Sequence, residues 1–329
     1  MPATLAQMKL TILLTGKNGQ VGTELLRLLP GIGEVVAPDR HELNLLDADN
    51  LRRAVRDIRP QLIVNAAAYT AVDAAETDEA NAYAINASAP GVLAKEAKKI
   101  GAAIVHYSTD YVFDGSKRAP YDEGDPANPI SVYGKTKFAG EQAIRNCDVP
   151  HLILRTAWVY STRGRNFLLT ILRLATERHE LKIVRDQLGA PTWSREIATS
   201  TVRILAQVMG RGKPASPFSQ VSGTYHMTAG GETTWYDFAS TILDEVSRLS
   251  REISWLSAAT GGRPLVTRRI IPIAAEEYPT SAARPAYSVL SNSLLTRAFG
   301  IRMSDWHTQL RHAFSLECKA QQMTVACKS

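Results

Sequence analysis

The segment "LTILLTGKNGQVG" constrains this chain more than any other. Its first six residues read as a short buried strand. Gly16, Gly19 and Gly22 then turn the chain straight into a helix beginning near Gln20. Parallel strands need a crossover, usually helical, so a strand, tight turn and helix is the opening unit of a parallel α/β sheet. The alternation continues. "EVVAP" is a second strand, "LRRAVRDIR" a helix stopped before Pro60, and "QLIVNAAA" a third strand. An Ala-rich helical stretch over 78–100 follows, with Pro90 near an end or kink, and then the strand "AAIVHYST". Such a series predicts an α/β protein built on a Rossmann-like, doubly wound parallel sheet.

From about residue 161 the alternation loosens. "RNFLLTILRLATER", "SREIATSTVRILAQVM" and "TTWYDFASTILDEVSRL" read as helices, "LKIVRDQLGAPT" as a strand and loop, "GTYHMT" as a strand, and "GRGKPASPFSQVSG" as a polar connection. The expected division is a nucleotide-binding domain over 1–160 and a smaller mixed α/β substrate-binding domain over 161–315. Some late segments are expected to return to the first domain, leaving a tail over 316–329. Residues 1–8 read as a leader before the first strand.

Composition narrows the function classes. The 329 residues carry a net charge of +6, with basic residues dispersed among acidic ones, so nucleic acid is not the expected partner. A basic cleft for an anionic metabolite fits the same balance. Cys147, Cys318 and Cys327 lack metal-ligand spacing and read as reduced thiols of a cytoplasmic protein. No uncharged apolar run of 18 residues suggests a membrane span.

The glycines permit close approach of a diphosphate, and the following helix offers unpaired backbone N–H groups and a favourable field for it. Their G-x-x-G-x-x-G spacing differs from G-x-G-x-x-G, so a plain strand–helix turn is the alternative. Asp39 is placed to hydrogen-bond an adenosine ribose, favouring NADH, while Arg40 would neutralise the extra phosphate of NADPH; preference stays open. Ala66, Ala67 and Ala68 in "NAAAYT" would let a cofactor come close, with Thr70 adding a hydroxyl, or the alanines simply pack in the core.

"HYSTDYVFDG" and "SVYGKTKFAGE" carry the chemistry. Tyr133 and Lys137 share one helix face, a turn apart. A phenol is seldom ionised near neutrality, and the Lys137 charge would ease its proton transfer. Tyr133 is the expected proton donor, Lys137 its electrostatic partner, and Thr109 the group orienting a substrate carbonyl. Ser108 is either a cofactor contact or part of the strand. His106 reads as a core or helix-contact residue. Trp158 could cover a sugar face, or simply pack in the core. Arg284 has the fork of donors that suits a diphosphate, or forms a salt bridge.

Together, "TGKNGQVG", "NAAAYTAVDAAE", "YSTDYVFDG", "VYGKTKFAGE" and "RTAWVY" resemble the extended short-chain dehydrogenase/reductase family. More narrowly, with "DQLGAPT", "TYHMTAGGETTWYDFA" and "SAARPAYSVLSN", most of residues 9–315 resembles the dTDP-4-dehydrorhamnose reductases. The resemblance implies NADPH- or NADH-dependent reduction of the C4 ketone of dTDP-4-dehydro-β-L-rhamnose to dTDP-β-L-rhamnose, the activated sugar of cell-envelope polysaccharides. It implies that Gly19, Gln20, Val21, Ala68, Tyr69, Thr70 and Tyr107 line the cofactor site. Asn44 and Leu45 would lie near the adenine, where the family often has Asp at the first position. Thr109, Asp110 and Trp158 would contact the sugar. Homodimers and a magnesium site at the subunit interface also occur in the family. Glu24 and Glu196 are candidate oxygen donors, although two carboxylates define no octahedral site, and the transfers need no metal. A related sugar-nucleotide reductase or epimerase and a non-catalytic NAD(P)-binding regulatory subunit are the alternatives.

Overall fold

A computed structural model describes residues 10–209, 216–249 and 253–315. The leader over 1–8 and the tail over 316–329 lie outside the described residues. Strand β1 (Thr11–Thr15) pairs in parallel with β2 (Glu34–Val36) on one side and β3 (Leu62–Asn65) on the other. Beyond β3 come β4 (Ala103–Thr109), β5 (His151–Thr156) and the strand Gly223–His226, all parallel. The spatial order is thus Gly223–His226, β5, β4, β3, β1, β2, the doubly wound sheet expected from the sequence.

Both sheet faces are covered, which is why the strands read as continuous apolar runs. Ile12 and Leu14 join one core with Leu25 of helix α1 (Gln20–Leu28) and Ile197 and Leu205 of the helix Ser194–Met209. Leu13, pointing the other way, packs with Leu51 and Val55 of α2 (Ala48–Ile58) and Leu93 and Ala97 of the helix Ala89–Ile100. The second half of the chain therefore supplies both a sheet strand and one of the covering helices.

The Ala-rich stretch is helical from Glu79 to Ile100, as expected, but not uniformly α. Glu79–Tyr83 runs into a π turn, Ala84–Ser88, before Ala89–Ile100 begins with Pro90 in its first turn. Proline lacks the N–H that a continuous helix would use there. A separate core around Leu168, Leu172, Phe238, Ile242, Trp306 and Leu310 forms the smaller lobe. That lobe includes a parallel pair, Glu180–Val184 with Arg269–Ile273. Among the described residues no helix is long and apolar enough to cross a membrane.

Candidate active site

The site begins where β1 ends. Gly16 has φ +75°, and a Cβ there would lie 2.6 Å from the Ala67 nitrogen. Gly19 N–H closes the turn onto the Gly16 carbonyl at 2.9 Å. Thr23 Oγ1 lies 3.0 Å from the Lys17 carbonyl and 2.8 Å from that of Gly19. Gly19 caps α1 without a side chain, so the first amides of the helix keep their donors free for an anion. Gly22 stands behind the turn: a Cβ there would meet the Gly16 carbonyl oxygen at 1.9 Å. Gly16, Gly19, Gln20 and Val21 line a cleft of about 540 Å³.

One wall of this cleft holds Asp39, Arg40, Asn44 and Leu45. Asp39 Oδ1 accepts backbone N–H bonds from His41 at 2.8 Å and Glu42 at 3.1 Å. The Glu42 and His41 bonds lower its pKa and keep the carboxylate charged. Ala68 and Thr70 line the cleft as well. Tyr69 is held differently: its backbone is clamped by Asn86, through N–H to Oδ1 at 2.8 Å and Nδ2 to carbonyl at 3.0 Å. Its phenol donates to Asp78 at 3.1 Å.

Tyr107, Tyr133 and Lys137 complete the cleft. Ser131 caps the helix Val132–Arg145 by accepting the Gly134 N–H, and the helix then places Tyr133 and Lys137 on one face. Lys137 is 2% exposed, and its Nζ donates to the Tyr107 carbonyl at 2.6 Å. Burial pushes its pKa down to about 8, with Glu141 opposing. The Tyr133 phenol is pushed up to about 12 by burial, with the neighbouring Thr109 hydroxyl pulling down and the Asp110 charge pushing up. The phenol is thereby kept protonated, as a proton donor must be.

Thr109 ties the patch beside Tyr133 together. Its Oγ1 accepts the Tyr111 N–H at 3.1 Å and donates to Asp110 Oδ1 at 3.0 Å. Asp110 is buried, and desolvation raises its carboxyl to about 6 despite the Ser288 and Thr109 hydroxyls beside it. The Tyr111 ring meets Tyr133 edge-on at 5.5 Å. Arg284 lies beside the Tyr111 phenol and pairs with Asp73 at 2.8 Å, so its guanidinium has a protein carboxylate partner here.

Trp158 is not among the residues that line this cleft. Its indole stacks flat on Trp235, with centroids 3.4 Å apart and planes 3° from parallel. Its φ of +46° is rare for a bulky residue and costs backbone energy of order 1–3 kcal/mol. Gly189 is required beside it, because a Cβ there would sit 2.3 Å from the indole.

Several groups at the site went unremarked in the sequence. Lys17, Arg163 and Arg165 line the cleft. The loop carrying the two arginines is tethered to the glycine turn by Asn166 Nδ2 donating to Gln20 Oε1 at 3.0 Å. A basic pair in "STRGRN" is too common a pattern to have flagged this placement. Glu24 pairs with Arg27 at 3.6 Å, and Glu196 accepts from Ser304 at 3.5 Å. Among the described residues no cluster of three His, Cys, Asp or Glu side chains is placed to hold a metal.

The site suits a nicotinamide dinucleotide on its own features. The glycine turn leaves room for a diphosphate at free helix amides. Ser108 Oγ and Thr156 Oγ1, both cleft-lining, are buried without a hydrogen-bond partner. Likeness to known proteins agrees. A family model described as the RmlD substrate binding domain matches residues 8–317. The dTDP-4-dehydrorhamnose reductase of Burkholderia thailandensis is 50% identical over 295 residues, spanning 90% of this chain and 95% of that protein. The Escherichia coli K12 enzyme of the same name is 40% identical over 306 residues, 92% and 96% of the two chains. A dTDP-4-dehydrorhamnose reductase from Bacillus anthracis, crystallised with NADP, superposes with a TM-score of 0.81 at 31% identity, over 93% of this chain and 99% of that one. The chain belongs to the dTDP-4-dehydrorhamnose reductase family.

Proposed function

We propose that this protein reduces the C4 ketone of dTDP-4-dehydro-β-L-rhamnose to dTDP-β-L-rhamnose, using NADPH or NADH. The observation that carries the reading is the convergence of Tyr133 and Lys137, from one helix face, on the cleft that the glycine turn and the α1 N-terminus build.

Bound nicotinamide supplies a hydride to the C4 carbon. The protein's own groups do the rest. The free amides of α1 hold the diphosphate, and Asp39 receives ribose hydroxyls, with Arg40 beside it for a 2′-phosphate. Lys137 donates to ribose hydroxyls and places positive charge near the phenol. Thr109 and the Tyr133 phenol lie side by side and converge on the carbonyl oxygen. As that oxygen gains alkoxide character, Tyr133 delivers its proton. A phenol raised to about 12 by burial is a weak acid towards water but a competent donor to an alkoxide. Thr109, Asp110, Trp158 and Arg284 are assigned to the sugar-nucleotide side. The dTDP-sugar is the partner expected for a cytoplasmic enzyme of this kind, with a homodimer as the assembly to look for.

The test is product analysis with the ketosugar under NADPH and NADH in turn. dTDP-β-L-rhamnose formed in proportion to coenzyme oxidised supports the assignment and ranks the coenzymes. Coenzyme binding without turnover by either would overturn it.

A further inference from the structure

Three strands bring a line of buried polar groups up to Lys137. Thr15, Asn65 and His106 are direct partners in the parallel register of β1, β3 and β4, so their side chains share one face of the sheet. Thr15 Oγ1 lies 2.6 Å from Asn65 Oδ1, Asn65 Nδ2 lies 3.0 Å from His106 Nδ1, and His106 Nε2 lies 3.3 Å from Lys137 Nζ. All four residues are nearly sealed from solvent, and Thr15 and Lys137 both reach the cleft.

A chain of this kind has a direction. His106 is wholly buried beside Lys137, and burial, then the lysine charge, holds its pKa well below the usual value, so the ring is neutral. A neutral imidazole has one N–H and one lone pair, so accepting at one nitrogen means donating at the other. In the first direction, Thr15 donates to Asn65 Oδ1, Asn65 Nδ2 donates to His106 Nδ1, and Nε2–H points at Lys137. That arrangement suits an uncharged amine, which has a lone pair to receive it. In the second, the Lys137 ammonium donates to Nε2, Nδ1–H donates to Asn65 Oδ1, and Nδ2 donates to Thr15. Turning the amide over exchanges its nitrogen and oxygen without moving the heavy-atom frame, so both directions fit the same geometry. Passing from the first to the second adds one proton, at Nζ, and leaves His106 neutral.

We infer that His106 is a positioning residue for Lys137, and that the direction of the Thr15–Asn65–His106 chain is coupled to the charge on Lys137. The catalytic meaning rests on the Tyr133–Lys137 reading above: the second direction is the one that presents a cation beside the phenol. On its own helix Lys137 feels the Glu141 carboxylate and has the Tyr133 phenol a turn away. Arg155 of β5 holds Glu141 in a two-pronged pair at 2.8 and 2.7 Å, and Arg145 adds a bond at 2.6 Å, so Glu141 is committed elsewhere.

The first test uses the unaltered protein, free and with NADPH bound. The tautomer of His106 is read by nitrogen NMR of ¹⁵N-histidine protein, and the charge of Lys137 by carbon NMR of its Cε. Lys137→Arg assigns the lysine signal. His106→Gln assigns the histidine, or substitution of the other histidines in turn if that chain does not fold. The expected result is a proton on Nε2 above the Lys137 midpoint and on Nδ1 below it, changing at the same pH. One tautomer on both sides of the midpoint would overturn the inference. A second test uses Asn65→Asp, whose carboxylate can only accept from Nδ1–H and so fixes the second direction. The Lys137 proton affinity is expected to rise about tenfold, and an unchanged or lowered affinity contradicts the coupling. Coupled titration in a protein that does not reduce the ketosugar would remove the proposed function and leave this inference intact. Normal turnover with a fixed tautomer would remove only the inference.

Discussion

Replacing Gly22 and Gly19 by alanine, one at a time, separates folding from cofactor binding within a single turn of chain. Gly22 lies inside α1, where Ala is intrinsically better by roughly 0.5–1 kcal/mol. That gain is overridden, because the new methyl would sit 1.9 Å from the Gly16 carbonyl oxygen, more than 1 Å inside ordinary contact. The obstacle is backbone, held by the Gly19-to-Gly16 bond and by the fit of Gly16 against Ala66 and Ala67, so α1 must move. Overpacking of this kind costs about 1–3 kcal/mol, which for a chain of this size lowers the melting temperature by roughly 1–4 °C. Gly19→Ala is different. Its methyl meets only the Gly16 oxygen at 3.3 Å, a contact relieved by a few tenths of an ångström. Stability should stay within about 0.5 kcal/mol of the parent. Yet the methyl stands where the diphosphate must approach, and the dinucleotide Kd should rise at least about tenfold, or ~1.4 kcal/mol. Thermal unfolding and NADPH fluorescence titration read the two effects separately. If Gly19→Ala bound NADPH as tightly as the parent, the placement of the diphosphate at this turn would be wrong.

Tyr133→Phe keeps the ring that meets Tyr111 edge-on and removes only the proton donor, so kcat should fall about 10²–10⁴-fold while NADPH binding is unchanged; a loss under tenfold speaks against Tyr133 as the acid. Asp110 has a folded-state pKa raised to about 6, so between pH ~4 and 6 the folded chain holds this proton more tightly than the unfolded one. Its contribution to stability therefore falls as pH rises through that window. In urea unfolding, Asp110→Asn should gain about 2 kcal/mol on the parent in going from pH 4.5 to pH 7, and parallel pH profiles would contradict the shift. Replacing Arg163 and Arg165 together by alanine should weaken NADPH and NADH binding alike, by about fivefold, as expected for the shared diphosphate. Arg40→Ala should weaken NADPH alone. Equal effects of Arg40→Ala on both coenzymes would remove it from the 2′-phosphate position.

Much of the fold was legible because its signals are local. The apolar runs at Ile12–Leu14 and Leu62–Val64 and the glycines after Thr15 need no partner to be recognised. The strand His151–Thr156 carries an equally apolar run yet was not singled out, since it lies beside the more conspicuous "RTAWVY". That Gly223–His226 pairs with it depends on a contact about 70 positions away, which periodicity cannot express. The π turn at Ala84–Ser88 was hidden inside a stretch whose composition is plainly helical. Tyr133 and Lys137 were legible from their four-residue spacing. The Thr15–Asn65–His106 line was not, because its members lie 50 and 41 positions apart and meet only through sheet register. The stacking of Trp158 on Trp235 likewise joins residues far apart in the chain, and its enabling neighbour Gly189 has no side chain to advertise it.

The most direct measurement of the central claim is isotope transfer. The protein is incubated with dTDP-4-dehydro-β-L-rhamnose and NADPH deuterated on one face of nicotinamide C4, then on the other, and the product sugar is analysed by NMR and mass spectrometry. One deuterium at the sugar C4 from one labelled face alone, in a product of L-rhamno configuration, is the predicted result. Coenzyme oxidation without deuterium at C4, or no product with either label, would contradict it.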